Sequence, residues 1–249
     1  MRIAAISDVH GNVFALRAVL QAVSRDRADL VVNLGDHLSG GVAPAATADL
    51  LMATPMVSVR GNHERQVLET PPALMSASDR LAHAELTGRH RAWLAALPLT
   101  ARPVEGVLAF HGTPEDDLEY LLETVTPDGV RPATEDEVTS RLSGHLDHAL
   151  LLCGHTHLQR AVRLSGGALV VNPGSVGWPA YDDDRPYPHL IEAGTPHARY
   201  AVADDASGRW EVELRAVGYP WEEAAALARA NGRPDVEHAL LTGTNLSAL

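Results

Sequence analysis

The sequence predicts an α/β protein in which two β-sheets pack face to face, with helices on their outer sides. Up to residue 153, short apolar runs typical of buried strands alternate with amphipathic segments typical of helices. A strand, helix, strand order implies right-handed crossovers and therefore parallel strands. After residue 160 the strands come in pairs around tight turns, which indicates antiparallel hairpins. Parallel units followed by hairpins favour two packed sheets over one doubly wound sheet.

The composition narrows the class of protein. Of the 249 residues, 45% are hydrophobic, which is enough for a full core, and we expect residues 1–249 to form a single domain. The net charge of -12 at pH 7 makes duplex nucleic acid and anionic membranes unfavourable partners. A single cysteine, Cys153, excludes an intramolecular disulfide and a thiolate metal cluster. We find neither a leader peptide nor an apolar run that could cross a bilayer, so we expect a cytoplasmic protein.

Three predicted strands, at residues 3–7, 29–34 and 56–60, each run into polar residues. After the first strand, Val13, Leu16 and Val19 recur at helical spacing, and Pro44 suits the first turn of a second helix. Residues 65–98 carry weaker helical signals, with Thr87 as a candidate N-cap. We interpret that stretch as helices beside the strand ends.

The rest of the chain supplies two more such strands and then hairpins. The strands are predicted at residues 107–110 and 149–153, and the capping-box sequence Thr134-x-x-Glu137 predicts a helix before the second, reaching about residue 146. Hairpins are predicted for residues 161–164 with 168–171 and for residues 199–203 with 210–217. The loop 172–179 between them is rich in turn formers and can return to the strand ends. A helix at residues 222–230 and a short helix from Pro234 complete the prediction.

The residues at the five strand ends are of the types that bind metal ions. Asp8 and His10 lie two residues apart, so both can face one ion from an extended chain. Groups at the carboxyl ends of parallel strands meet in one crevice, so we expect all of them to converge. The predicted ligands are two carboxylates, one amide and four imidazoles: Asp8, His10, Asp36, Asn62, His111, His155 and His157.

Seven ligands are too many for one ion and suit two ions that share a carboxylate. Asp36, the one candidate ligand at its strand end, is the predicted bridge. A shared ligand between two ions about 3.5–4 Å apart is typical of dinuclear hydrolases. Nitrogen and oxygen donors without sulfur favour Mn, Fe, Zn, Co or Ni, and we expect two divalent ions with Mn as the metal.

These motifs resemble those of the calcineurin-like metallophosphoesterases. The resemblance extends to about Gly177 and rests on Asp8-x-His10, Gly35-Asp36, Gly61-Asn62-His63-Glu64, His111-Gly112 and Gly154-His155-Thr156-His157. Segments 7–12 and 172–177 are more similar to small bacterial phosphodiesterases than to eukaryotic Ser/Thr phosphatases. The resemblance implies a four-layer α/β/β/α sandwich of two mixed sheets flanked by helices.

The resemblance also implies roles for individual residues. One ion would bind Asp8, His10, Asp36 and His157, and the other would bind Asp36, Asn62, His111 and His155. His63 would be the general acid that faces the leaving group. Many relatives keep a carboxylate three residues after the bridging aspartate to orient this histidine, whereas this chain has Ser39.

The contacts to the substrate's phosphate are less well defined by the motifs. Similar proteins often carry a basic residue after the position of Pro179, where this chain has Ala180. We therefore predict Arg60 as a substrate-binding residue, with Arg185 as an alternative cation. Asn12, from the first motif, is the second predicted substrate-binding residue.

The expected function is a dinuclear metal-dependent phosphoesterase, and more specifically a phosphodiesterase, in which a metal-bound hydroxide attacks the phosphorus. A phosphomonoesterase or protein phosphatase using the same site is one alternative, and a non-catalytic scaffold subunit is another. The expected partner is a small phosphate-ester substrate, with nucleotides among the candidates. A nuclease is disfavoured by the negative net charge, and the oligomeric state is left open.

Overall fold

The computed structural model describes residues 1–142 and 144–246. The strands are β1 (Arg2–Ile6), β2 (Leu30–Asn33), β3 (Val57–Ser58), β4 (Val107–Ala109), β5 (Glu123–Thr126), β6 (Gly129–Pro132), β7 (Leu150–Leu152), β8 (Gln159–Arg163), β9 (Leu169–Pro173), β10 (Ala180–Asp183), β11 (His189–Glu192), β12 (Ala198–Asp204) and β13 (Glu211–Val217). The helices are α1 (Val13–Asp26), α2 (Pro44–Ala53), α3 (Asn62–Glu69), α4 (Ala77–Glu85), α5 (Gly88–Ala95), α6 (Glu135–Arg141), α7 (Trp221–Ala230) and α8 (Pro234–Thr242). Across these described residues, every helix is too short or too polar to cross a membrane.

The first sheet is mixed and has the strand order β13-β12-β1-β2-β3. Helices α1 and α2 connect its three parallel strands. Ile6 pairs with Asn33, and Asn33 pairs with Ser58, so the carboxyl ends of the three strands are aligned. The residues that follow these strands therefore begin at one edge of the sheet.

Helix α1 begins directly behind that edge, and its start is fixed by a side-chain cap. Asn12 Oδ1 accepts a hydrogen bond from the backbone N–H of Ala15 at 3.1 Å, which satisfies one of the free donors of the first turn. Val13, Leu16 and Val19 face the core, as their spacing predicts. The cap thus sets where the loop after β1 ends and the helix starts.

The second sheet has the order β4-β7-β9-β8 and carries the other strand ends. Strands β4, β7 and β9 run parallel, and β8 pairs antiparallel with β9 in the first predicted hairpin. Ala109 pairs with Leu152 and Leu152 with Val171, so the loops after these strands also leave from one edge.

The two sheets share a buried apolar layer, to which Ile3 and Ala5 contribute from one sheet and Leu150 and Leu152 from the other. Alternate residues of each strand point the opposite way and pack beneath the helices, in line with the period of two along a strand. One outer layer holds α1, α2, α7 and α8, and the other holds α6. The predicted four-layer α/β/β/α sandwich is confirmed.

One local prediction needs correction, and two hairpins were not predicted. Helix α6 ends at Arg141 instead of near residue 146, and Gly144 follows in the left-handed region at φ 86°. The hairpin of β5 and β6 lies in a stretch whose acidic and proline residues hide the alternation of a strand. The hairpin of β10 and β11 was likewise not predicted, because Asp182 and Asp183 suggest a solvated loop.

Candidate metal centre

The loops after the strands of both sheets meet at one edge of the sandwich and are tied together by backbone hydrogen bonds. The N–H of Asp8 donates to Gly35 O and the N–H of His10 donates to Asp36 O, both at 3.0 Å, which joins the loops after β1 and β2. The N–H of Gly154 donates to His111 O at 2.7 Å, which joins the loops after β7 and β4. The predicted convergence therefore occurs, with the positions of the loops fixed by the sheets.

The backbone at this edge is strained. The non-glycine residues with positive φ in the described chain are Asp8, His10, Arg27, Asp36, His155 and His157. Five of these six are predicted metal ligands, while Arg27 is the C-cap of α1. Side chains in the left-handed region cost free energy and persist only where the surroundings enforce them, a pattern that is common at functional sites.

Asp8, His10 and His157 form the first cluster of potential ligands, with atoms within 4.8 Å of one another. The Nε2 atoms of His10 and His157 lie 2.9 Å apart, and Asp8 Oδ1 lies 3.4 Å from His157 Nε2. Asp8 Oδ1 is buried and has no hydrogen-bond partner among the described residues. A buried carboxylate oxygen without a hydrogen-bond donor is unfavourable unless a cation binds it. The two imidazole nitrogens that it faces could bind the same cation.

Asp36, His111 and His155 form the second cluster. His111 Nε2 lies 3.2 Å from Asp36 Oδ2 and 3.1 Å from Asn62 Oδ1. The other ring nitrogen of His111 donates to Leu34 O at 2.7 Å, which fixes the tautomer and aims Nε2 at the cluster. All seven predicted ligands are thus brought together in two neighbouring groups.

Asp36 lies between the two clusters: it belongs to the second, and it also forms a third group of potential ligands with His10 and His63. Its Oδ2 atom lies 3.2 Å from His111 Nε2 in the second cluster and 4.0 Å from His10 Nε2 in the first. Its Oδ1 atom accepts the backbone N–H of His63 at 3.0 Å, so the carboxylate is held in place. This is the position that a bridging ligand needs.

Protonation favours metal binding by His10, His155 and Asp36, whereas His111 must lose a proton to bind: burial lowers its pKa, but attraction to Asp36 outweighs this effect and raises the pKa to about 10. Burial lowers the pKa of His10 and of His155 to about 3, and neighbouring histidines add to the effect. Both rings are therefore neutral at neutral pH, the form that binds metal. Burial raises the pKa of Asp36, but attraction to His111 and His63 outweighs this effect and holds the pKa well below its usual range.

Glu64 holds the loop after β2, a role that the motif alone did not reveal. Its carboxylate accepts the backbone N–H groups of Asp36 and His37 at 2.9 Å and of Gly61 at 2.8 Å. Glu64 is the third residue of α3, so a carboxylate there also favours the start of the helix. The sequence feature that could have indicated this role is an acidic residue three positions after Gly61, the N-cap of α3.

The close approach of Gly61 to Asp36 leads to a test by substitution. A Cβ atom at Gly61 would lie 2.7 Å from the backbone nitrogen of Asp36, whereas a Cβ at Gly88 would meet nothing within 4 Å. We expect Gly61→Ala to displace Asp36 and to lower activity roughly a hundredfold, with a parallel loss of bound metal. Gly88→Ala is the matched control, and elemental analysis with assays of both proteins is the measurement. Equal metal content and activity in the two variants would contradict the expected displacement.

His63 lies on the wall of a cleft of about 370 Å³ that also reaches Asp36, His155 and His157. Its side chain is 18% exposed, and its Nδ1 lies 2.7 Å from Asp79 Oδ1. Burial lowers the pKa of His63, but attraction to Asp36 and the hydrogen bond with Asp79 outweigh this effect and raise the pKa to about 9. Asp79, which lies in α4, is the site residue that sequence reasoning missed.

The two predicted substrate-binding residues lie elsewhere. Asn12 is fully buried and uses its amide to cap α1 and to donate to Gly177 O and Tyr219 Oη, at 3.1 and 3.3 Å. Arg60 lines a separate recess of about 10 Å³ beside His111, not the cleft. Their positions give no support to a contact with substrate. The basic residue that does line the cleft is Arg233, with its guanidinium carbon 5.4 Å from the ring centre of Trp178.

This combination of sandwich and clustered ligands defines a metallophosphoesterase. The profile of the calcineurin-like phosphoesterase superfamily domain matches residues 1–190, and the chain belongs to that superfamily. The family binds divalent metals, and the clusters described above could hold them. Membership supports a phosphoester hydrolase activity.

Solved structures show the same relationship. A metallophosphoesterase from Sphaerobacter thermophilus is similar over 98% of this chain and 99% of its own, with 25% identity and a TM-score of 0.76. A hypothetical protein from Pyrococcus horikoshii is similar over the same shares, with 16% identity and a TM-score of 0.75, which shows the fold alone. No curated protein matches the sequence significantly.

Proposed function

We propose that this chain is a dinuclear metal-dependent phosphoesterase that acts on phosphodiesters in preference to monoesters. The observation that supports two ions is the place of Asp36 between the two ligand clusters, with one oxygen 3.2 Å from His111 Nε2 and 4.0 Å from His10 Nε2. Asp8, His10 and His157 would complete one site, and Asn62, His111 and His155 the other. Mn is the proposed metal, with Fe, Zn, Co and Ni as alternatives, because the donors are nitrogen and oxygen without sulfur.

The proposed roles of the protein follow from these positions. Two such ions, when bound, lower the pKa of water towards neutrality and stabilise negative charge on the phosphoryl oxygens. His63, on the cleft wall, would hold a proton for the departing oxygen. Because Asp8 and Asp36 are buried, solvent screens their attraction for the ions only weakly.

The charge of the cleft supports a diester as substrate. Asp182, Asp183 and Asp235 line it, and Asp235 is paired with Arg233, so Asp182 and Asp183 contribute negative charge. A phosphodiester carries one negative charge, whereas a monoester carries between one and two near neutral pH. The added charge of a monoester is therefore less favourable beside these carboxylates.

A non-catalytic scaffold is the less favoured alternative. A protein that serves only as a scaffold needs neither a complete ligand set nor an oriented acid. Here all seven candidate ligands converge, and His63 has a carboxylate partner. This completeness favours an enzyme.

We expect two metal ions per chain in the active protein, and we expect chelation to abolish activity while the fold persists. The reason is that the ligands lie on strand ends whose sheets have their own apolar core. Elemental analysis of the reconstituted protein and circular dichroism before and after chelation are the measurements. One ion or none at saturation would refute the dinuclear site.

Side-by-side assays of bis-nitrophenyl phosphate and nitrophenyl phosphate test the substrate class, and faster turnover of the monoester would refute the preference for diesters.

A further inference from the structure

The carboxylate that partners His63 does not come from the segment where the resemblance places it. Three residues after Asp36 the chain has Ser39, which is buried and whose carbonyl oxygen lies 2.5 Å from His10 Nδ1. The partner comes instead from α4, a helix outside both sheets, in the form of Asp79. The structure thus supplies the missing carboxylate from a different element.

Asp79 is held firmly in this position. Its Oδ1 faces His63 Nδ1 at 2.7 Å, and its Oδ2 accepts the hydroxyl of Ser76 at 2.6 Å. The carboxylate is 4% exposed, so it is shielded from competing water. The next residue towards the N-terminus, Ser78, accepts a hydrogen bond from the guanidinium of Arg233 at 2.5 Å, which ties α4 to the start of α8.

A purely structural role would be to support the cap of α4, and Oδ2 does so through Ser76, but Oδ1 takes no part in that cap. Ser76 is the N-cap residue, and its own hydroxyl oxygen accepts the N–H of Asp79 at 3.1 Å. The contact with His63 is therefore additional to the cap. The contact with His63 uses Oδ1, whereas Ser76 bonds to Oδ2.

We infer that Asp79 is the positioning residue of the general acid, supplied by α4 in place of the carboxylate that Ser39 lacks. A carboxylate only accepts, so the bond places a proton on Nδ1 of His63 and leaves Nε2 for the substrate. This inference rests on the proposed phosphoesterase function. As a hydroxide, formed by prior loss of a proton from water to solvent, attacks phosphorus and the P–O bond breaks, the electron pair goes to the departing oxygen, which takes the proton from Nε2. The imidazole is left neutral, with Nδ1–H still bonded to Asp79.

Asp79→Asn tests this role because it keeps the size of the side chain and a group that can accept the bond from Ser76. We expect kcat for an alkyl phosphodiester to fall about tenfold to a hundredfold with KM unchanged, by analogy with carboxylates that orient metal-bound histidines, whose removal has an effect of that size. A nitrophenyl diester should lose far less, because its leaving group departs without a proton. In a His63→Ala background the same substitution should have no further effect, since residues that act as a unit are not additive.

Glu137→Gln is the matched control. Glu137 is also a carboxylate at the third position of a helix, and it accepts the backbone N–H of Thr134 at 2.7 Å, outside the cleft. Its replacement should not change the ratio of alkyl to aryl turnover. Equal losses of both esters in Asp79→Asn, or a full additional loss in the His63→Ala background, would overturn the positioning role.

A measurement without turnover separates this inference from the proposed function. In zinc-loaded protein labelled with ¹⁵N-histidine, the Nδ1–H proton of His63 should resonate far downfield in the wild type and lose that shift in Asp79→Asn. An unchanged resonance would refute the inference alone. Absence of ester hydrolysis by the metal-loaded wild type would refute the proposed function, while the resonance would still decide whether Asp79 orients His63.

Discussion

Asp36→Asn is expected to leave the protein with fewer than two bound metal ions and to lower kcat/KM about a thousandfold. The substitution removes the negative charge that lies between the two clusters, and in the proposed site that charge offsets the repulsion between two cations. Loss of one Lewis acid removes several kcal/mol of transition-state stabilisation, and about 4 kcal/mol corresponds to a thousandfold. The effect on metal loading should exceed that of replacing any other single ligand.

The fold should survive this change. Asparagine keeps the size of aspartate and an oxygen that can accept the N–H of His63, and Glu64 continues to bind the backbone of residue 36. Asp49→Asn is the matched control, because Asp49 is a 65% exposed carboxylate that contacts His90 away from the cleft. Calorimetric titration with Mn and elemental analysis give the stoichiometry of both variants. Two sites of undiminished affinity in Asp36→Asn would show that Asp36 is not shared.

The convergence of the candidate ligands could be predicted from the sequence because the relation between strand ends and site is geometric. Buried apolar strands joined by helices align in a parallel sheet. The residues that follow Ile6, Asn33 and Ser58 are therefore expected to lie at one edge of that sheet. The same reasoning placed His111 and His155 at the edge of the second sheet. Metal-binding residue types at every strand end then indicated a metal site.

The partner of His63 could not be predicted in this way. The contact with Asp79 depends on how α4 docks beside α3, and nothing in the local pattern fixes that docking. Ser76 and Asp79 have the sequence pattern of a helix start, and the structure places them at the start of α4. That pattern gives no indication that Asp79 also contacts His63.

The positions of Asn12 and Arg60 away from the cleft have a related cause. Membership in a motif, or adjacency to one, does not state which way a side chain points. Asn12 turns inward to cap α1, and Arg60 lies beside a recess on another side of His111. Arg233 is the basic residue in the cleft, and it lies far from every motif in the sequence. Only the packing of α8 brings it there.

The effect of His63→Ala should depend on the leaving group. His63 lies on the cleft wall and is oriented by Asp79, so the proposed role is to protonate the departing oxygen. Nitrophenolate departs readily without a proton, so a nitrophenyl diester should lose little. An alkoxide departs poorly, and an alkyl diester should lose roughly 10²–10⁴-fold, the usual contribution of general acid catalysis.

A contact that only holds the phosphate would give a different pattern, because its strength does not depend on which group departs. Such a His63 would slow aryl and alkyl diesters alike. The measurement is kcat/KM of wild type and His63→Ala on both esters, with metal content verified in each protein because His63 follows the candidate ligand Asn62. His145→Ala is the matched control, since His145 also pairs with a carboxylate, Glu115 at 3.0 Å, but lies outside the cleft. Equal losses on the two esters at full metal content would reject the acid role and leave His63 as a phosphate ligand, because only proton transfer makes the loss follow the basicity of the departing oxygen.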